Sequence, residues 1–289
     1  MELREVIGRR RSIRFLDPDR PVEREKVQRM LEAATLCSFW GNVRALRAVV
    51  IERATAPPEV IAALPPGSAI GGFQLRLAPV LILWWVDWRA LGEQGKRLHE
   101  LVDAGAVGVE AEASHRYLDE SLIPFFQAGM DAIKLSGMTE MDCGQGIAQA
   151  TLLAYEQGLG TCLIGVTAQK KLRRAVRLPE DSKILCVQTV GYPAENWEAG
   201  GQRPRLPFEQ MYFLNRCDQP FPRDAEVVAG LERERMIMRR GPLPGRREEL
   251  RELSRRFAIP PLFGDEVPEM MQHIVQDMTE GAAPPEEGK

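Results

Sequence analysis

Histidine is scarce in this chain, three residues in 289, and none stands at metal-ligand spacing from a cysteine, so the common zinc patterns are excluded and no metal is expected. The five cysteines, Cys37, Cys143, Cys162, Cys186 and Cys217, are odd in number and form no C-x-x-C pair. That usage points to a reduced, cytoplasmic setting rather than a disulfide framework. Long apolar runs are missing too. The longest, Ala78–Val86, falls far short of a bilayer span, and the segment opening at Met1 lacks the apolar core of a signal peptide, so no membrane segment is expected. A surplus of positive charge is also absent: the formal net charge of -3 argues against a nucleic-acid partner, which needs a broad basic face. Repeats of fixed period do not occur, and only residues 280–289 have the composition of a disordered tail.

Positive charge is present instead as two local clusters, Arg9-Arg10-Arg11-Ser12-Ile13-Arg14 and, far along the chain, Arg203-Pro204-Arg205. In an extended stretch alternate side chains share a side, so Arg10, Ser12 and Arg14 point together while Ile13 and Phe15 bury. Pro204 likewise holds its neighbours extended and leaves Arg203 and Arg205 on one side. Guanidinium forks match phosphate oxygens two at a time, so the two clusters read as one anion site for a phosphorylated cofactor. Each taken alone has a blander reading, a solvated helix end for the first and a surface loop for the second.

Around these clusters the chain reads as mixed helix and strand. Residues 2–9 suit a short helix, and Val27, Met30, Leu31 and Ala34 fall at helical spacing behind Pro21. Residues 48–51, 80–86 and 184–190 are short β-branched or aromatic runs, as buried strands are. Residues 146–157 are apolar around most of a helical circumference and stop at Gly158-Leu159-Gly160, which suits a helix buried in the domain or at a homodimer interface. Residues 88–140 read as mainly helical, a possible cap over a pocket. The domain is placed at 1–217, followed by a helical extension at 218–279 with amphipathic helices near 224–238 and 245–257. Trp84 and Trp85 read as core. His99, His115 and His273 are isolated along the chain, and no Ser/His/Asp set can be assembled from them. Gly158-Leu159-Gly160 with Gly165 is not G-x-G-x-x-G and follows a helix, which disfavours a Rossmann dinucleotide site.

The pattern Arg10-Arg-Ser-Ile-Arg14, with Asn42, Gly158–Gly165, Val190-Gly-Tyr-Pro-Ala-Glu195 and Arg205-Leu-Pro207 in this order, resembles the FMN-dependent nitroreductase superfamily over roughly residues 5–215. The resemblance implies an α+β fold, an α-β-α sandwich on a mainly antiparallel sheet, a domain-swapped homodimer, and FMN in a cleft between subunits, with the 218–279 arm as an addition. Carried over by position, Arg10, Ser12, Arg203 and Arg205 hold the FMN phosphate. Arg11 and Arg14 lie by the ribityl chain or the pyrimidine edge, Arg14 supplying the cation that favours flavin reduction. The backbone at Ile164 and Gly165 points at flavin N5. The chain departs from the pattern after Leu36: Cys37-Ser38 runs into Phe39-Trp-Gly-Asn42, one residue longer than usual and without Gln-Pro-Trp, at the loop where Ser38 and Asn42 would contact flavin. The implied function is hydride transfer from NAD(P)H to a nitroaromatic, quinone or similar acceptor by a ping-pong mechanism. Two alternatives stay open, a flavin dehydrogenase or oxidase acting on a natural-product or peptide-like substrate, and a non-catalytic flavin-binding module.

Overall fold

The computed structural model describes residues 1–64, 72–166 and 169–259. Its centre is a four-stranded antiparallel sheet of β1 (Leu46–Glu52), β2 (Val80–Asp87), β3 (Gly160–Ile164) and β4 (Ser182–Gly191), in the order β1-β2-β4-β3. The described helices are α1 (Leu3–Arg9), α2 (Arg24–Thr35), α3 (Pro58–Ala63), α4 (Gly72–Leu77), α5 (Gln94–Asp103), α6 (Ala111–Tyr117), α7 (Ile123–Ala128), α8 (Met130–Leu135), α9 (Met138–Glu156), α10 (Gln169–Ala175), α11 (Ala225–Arg233) and α12 (Arg246–Arg256).

β2 explains the layering. Every residue in it is buried, and the period-two alternation of its side chains feeds two cores. Leu81 and Leu83 join Ile13, Leu16, Val60, Leu75 and Leu172 on one face, under α3, α4 and α10. Val80, Ile82 and Trp84 join Val27, Met30, Ile147 and Ala150 on the other, under α2 and α9. A strand covered on both faces reads as a continuous apolar run, and each such side chain contributes about 1.5–3 kcal/mol on burial. The result is an α-β-α sandwich. Trp84 keeps its indole satisfied inside the core by donating to Gln188 (2.9 Å), whose amide donates to Thr151 (3.0 Å).

Several elements differ from the sequence expectation. The second helix starts at Arg24 rather than near Pro21, because Glu23 is still extended. The apolar helix begins at Met138, eight residues early, and within one protomer its Met141 stays 63% exposed. β3 was not expected: Gly158 (φ +77°) is the stop, whereas Gly160 opens a strand, and a Cβ there would lie 2.9 Å from Ile13. Residues 88–140 form a 3-10 turn, helices α5–α8, a π-helical turn at Leu118–Leu122 and the start of α9; they bury Leu98, Val102 and Leu118 and set the Phe126 ring tilted against Trp40 at 5.7 Å. In the extension α11 and α12 occur, and Leu253 of α12 packs into a cluster with Phe15 and Leu77. The expectations for His273, the rest of the 218–279 extension beyond residue 259 and the 280–289 tail lie outside the described residues.

Candidate functional site

Residues 10–16 run extended across the end of β3 and β4. Ser12 bridges Thr161, the Ile13 N–H donates to the Thr161 carbonyl (2.9 Å), and the Ala194 N–H donates to the Phe15 carbonyl (2.8 Å). The alternation is the expected one: Ile13 and Phe15 are buried, while Arg10, Ser12 and Arg14 are only half-buried. Those three share a neighbour, the Cys162 thiol of β3. Burial raises its pKa, and Arg14, a hydrogen bond from Ser12 and Arg10 oppose that rise.

Arg11 falls in the buried phase, at 5% exposure. Its guanidinium donates to the Gly8 carbonyl (2.6 Å) and to Glu198 (3.1 Å), which makes it an anchor for the strand.

The second arginine stretch is brought alongside by a tight reversal at Ala199, Gly200 and Gly201, all at positive φ. At Gly201 (φ +102°) a Cβ would also press the backbone at Gly241 within 2.9 Å, so only glycine serves. The Gln202 amide donates to the Gly8 and Met236 carbonyls, both 2.8 Å, tying this stretch to the first cluster and to the C-terminal segment. The two clusters therefore meet: Arg10, Arg11, Ser12, Gln202, Arg203 and Arg205 line one cavity of about 200 Å³. A second cavity of about 600 Å³, lined by Arg14, Phe15, Phe73, Arg203, Arg246 and Leu250 among others, adjoins it at Gln202 and Arg203.

The electrostatics of the two cavities are unbalanced. Burial lowers the Arg10 pKa, and the Arg11 and Arg205 charges lower it further. Burial does the same to Arg203, followed by Arg14 and Arg246. Among the described residues Arg14, Arg203 and Arg205 reach only backbone carbonyls, of Ser12 (3.4 Å), Ala199 (2.9 Å) and Pro204 (3.2 Å). Arg11 and Arg246 are paired to Glu198 and Glu195, but Arg10 and Arg203, desolvated and without a carboxylate partner among the described residues, form with the exposed Arg205 a set complementary to an outside anion, and guanidinium forks suit phosphate.

The other candidates lie elsewhere. Ile164 ends β3 opposite Val187, and a Cβ on Gly165 would meet nothing within 4 Å, so this peptide is open to approach. Ser38 is exposed and Asn42 (φ +54°) sits in the Trp40–Asn42 turn leading to β1, its side chain accepting from Arg44 (3.0 Å). β1 and β3 are opposite edges of the sheet, three strand spacings or about 14 Å apart. The loop also lies at the Val86 end of β2, whereas Thr161 pairs near the Val80 end, through Val190. Within one protomer Ser38 and Asn42 are thus not brought to the arginine cavities, and neither cavity is lined by residues 88–140.

Two features were missed by sequence reasoning. Glu195, quoted only as part of a motif, is a buried carboxylate that accepts from the Arg14 (2.5 Å) and Phe15 (3.0 Å) N–H groups. Its signal was a charged residue straight after the apolar β4 and its turn. His99 and His115 are not isolated: their rings stack at 4.9 Å, with Nδ1 atoms 2.7 Å apart and Nε2 atoms on Asp119 and Asp103. No group of three or more His, Cys, Asp or Glu among the described residues is arranged to hold a metal. No described helix is long and apolar enough to cross a membrane.

The model of the Nitroreductase family matches residues 7–109 and 131–192 of the chain. Among solved structures the fold is similar to that of a protein from Exiguobacterium sibiricum classed as a nitroreductase and crystallised in complex with FMN. The two share 23% identity over 74% of this chain and 98% of that one, with a TM-score of 0.60. A nitroreductase family protein from Streptococcus pneumoniae gives 22% identity over 74% and 100% of the two chains and a TM-score of 0.57. A Staphylococcus epidermidis protein classed as an NAD(P)H:FMN oxidoreductase gives 16% identity over 74% and 95%, with a TM-score of 0.59. No curated protein sequence gives a significant match to this chain.

Proposed function

Since the chain belongs to the Nitroreductase family, a family of flavin oxidoreductases, we propose that it uses FMN to pass hydride from NAD(P)H to an electron-poor acceptor, a nitroaromatic, quinone or similar molecule, by a ping-pong mechanism. The observation that carries this reading is the meeting of Arg10 and Ser12 with Arg203 and Arg205 on one cavity, with no carboxylate paired to any of these arginines among the described residues. That donor set fits a phosphomonoester: the three cations Arg10, Arg203 and Arg205 more than offset its charge, and the Ser12 hydroxyl adds a further donor.

In this reading Arg10, Ser12, Arg203 and Arg205 hold the phosphate. When bound, FMN supplies the two-electron carrier, taking and giving hydride at N5 and gathering negative charge at its N1–C2=O edge. Arg14 places a fixed cation toward that edge, where charge stabilisation favours reduction. Arg11, committed to Gly8 and Glu198, contributes by holding the strand that bears Arg10, Ser12 and Arg14. Ile164 and Gly165 present main chain to the ring at the open end of β3.

Ser38 and Asn42 enter this scheme only from a second copy, because their own loop sits at the far corner of the sheet. A homodimer is also supported by apolar surface without a partner in one protomer, including Leu36 (81% exposed), Met141, and the stretch from Leu206 to Phe221. Five cysteines without a disulfide accord with a cytoplasmic setting.

The test is an absorption spectrum of the purified protein followed by anaerobic addition of NADPH or NADH. A flavin band that bleaches quickly and returns on adding a quinone supports the proposal. A flavin that resists both donors points to a dehydrogenase or oxidase working on another substrate, and a protein that neither carries nor takes up FMN rejects the reading.

A further inference from the structure

Glu195 is where the C-terminal segment reaches the arginine-bearing strand. Its side chain is fully buried, at 0% exposure. One carboxylate oxygen accepts from the successive N–H groups of Arg14 (2.5 Å) and Phe15 (3.0 Å), and the other accepts from Arg246 of α12 (2.5 Å). Among the described residues no other side chain hydrogen-bonds it. Resting on the proposed function above, we propose that Arg246, acting through Glu195, is the positioning residue for Arg14, so that α12 sets how firmly the flavin is held and how strongly its reduction is favoured.

The argument starts from desolvation. A carboxylate with no exposed surface persists as a charge only when a cation and hydrogen bonds compensate it. Two backbone amides supply hydrogen bonds and Arg246 supplies the charge. Burial opposes the Arg246 charge, yet the Glu195 and Glu249 carboxylates outweigh that and raise its pKa, so the cation is present at every cellular pH. Without it, a buried carboxylate is left uncompensated, and its side chain must turn toward water and release the Arg14 and Phe15 amides. Those amides fix the peptide at which one side chain turns toward the cavities and the next enters the core.

Helix α12 is held firmly enough to act as the fixed point. Leu253 is 5% exposed, the Phe257 ring lies 6.2 Å from Phe15, Arg246 also binds Glu249 (2.8 Å), and Glu249 caps the Asn196 N–H (2.6 Å). The helix lies wholly beyond residue 192, where the family match ends.

The test compares Arg246→Ala and Arg246→Lys with the wild type in the full-length protein, at a temperature where all three are folded. Hydrogen exchange over residues 10–17 needs no flavin. Faster exchange there in Arg246→Ala, with Arg246→Lys near wild type, is the expected result, and unchanged exchange overturns the inference. On the apoproteins, FMN titration followed by fluorescence quenching should show a dissociation constant raised about 10-fold or more in Arg246→Ala, the loss of one charge-assisted hydrogen bond. The midpoint potential of the bound flavin should fall and be restored by lysine. A lower melting temperature with unchanged exchange, affinity and potential assigns Arg246 a purely structural role and rejects the proposal. If wild type itself takes up no FMN, the functional reading fails while the exchange experiment still decides the positioning role.

Discussion

At the arginine edge of the sheet, Arg10, Arg14, Arg203 and Arg205 have no carboxylate partner among the described residues. At the diagonal corner the cations are paired: Arg89 and Arg47 share Asp87 at 2.8 and 3.6 Å, Lys183 meets Glu140 at 2.6 Å, and Lys134 meets Asp181 at 3.6 Å. The segment that bears the first arginine cluster differs in backbone from the loop at that corner. Residues 10–16 are regular and extended, whereas the turn into β1 carries Gly41, Asn42 and Arg44 at φ of 51°, 54° and 52°. At the diagonal corner most of the cations are matched by carboxylates of the chain itself. The arginine edge is electrically incomplete, which is the condition of a binding site whose ligand brings the missing charge.

The largest effect that could break this contrast is on the incomplete side. Arg10→Ala with Arg205→Ala removes two charge-assisted contacts worth about 1.5–3 kcal/mol each, so FMN affinity should fall roughly 10²–10⁴-fold. The apoprotein should not lose stability, because the substitution relieves mutual repulsion among Arg10, Arg11 and Arg205. Desalting followed by a spectrum and a melting curve reads both. A double variant that stays yellow, or one that unfolds, removes the contrast. Next comes Gly8→Ala, where a Cβ would lie 2.2 Å from the Arg235 carbonyl oxygen and 2.4 Å from the Met236 Cα. Backbone cannot yield as a flexible side chain does, so the C-terminal segment must shift. Overpacking of this kind costs about 1–3 kcal/mol, read as a lower denaturation midpoint.

The contrast also explains what could be read in advance. The alternation of Arg10, Ser12 and Arg14 against Ile13 and Phe15 is local and periodic, as are the apolar run of β2 and the Val27–Met30–Ala34 face, so these were legible. β3 was not, because Gly160 looks like a stop until Ile13 is seen packed 2.9 Å from where its Cβ would be. Helix α3 had a signal in Pro57-Pro58 that went unused. Glu195 depends on an arginine 51 positions later, and His99 on a histidine 16 positions away, distances over which pattern carries no information. The place of Ser38 and Asn42 relative to the arginines is set by strand order, which neither segment encodes.

Smaller effects belong to the paired corner. The hydrogen bond from Arg89 holds the Asp87 carboxyl below its ordinary pKa against the opposing effect of burial. A depressed carboxylate stabilises the fold above its unfolded pKa of about 3.9, and that stability is lost as pH falls through the lower folded value. Asp87→Asn should therefore cost about 1 kcal/mol at neutral pH and little near pH 2, flattening the acid limb of a stability profile. An unchanged acid limb would mean that Asp87 gains nothing from its partners.

The smallest expected effect concerns the stacked histidines. Two ring nitrogens 2.7 Å apart share a single proton, since two donors or two bare lone pairs would repel. Each Nε2 lies 3.0 Å from an aspartate oxygen, that of Asp119 for His99 and that of Asp103 for His115. Every ring nitrogen of the pair thus has a partner within the chain. The pair is also partly exposed, with His99 and His115 side chains at 29% and 30%, so solvent screens most of its energy. His99→Gln should change stability by no more than about 0.5 kcal/mol and leave FMN affinity as it was. A flavin affinity that falls in this variant would tie the α5–α6 surface to the cofactor and remove the division between a finished corner and an open one.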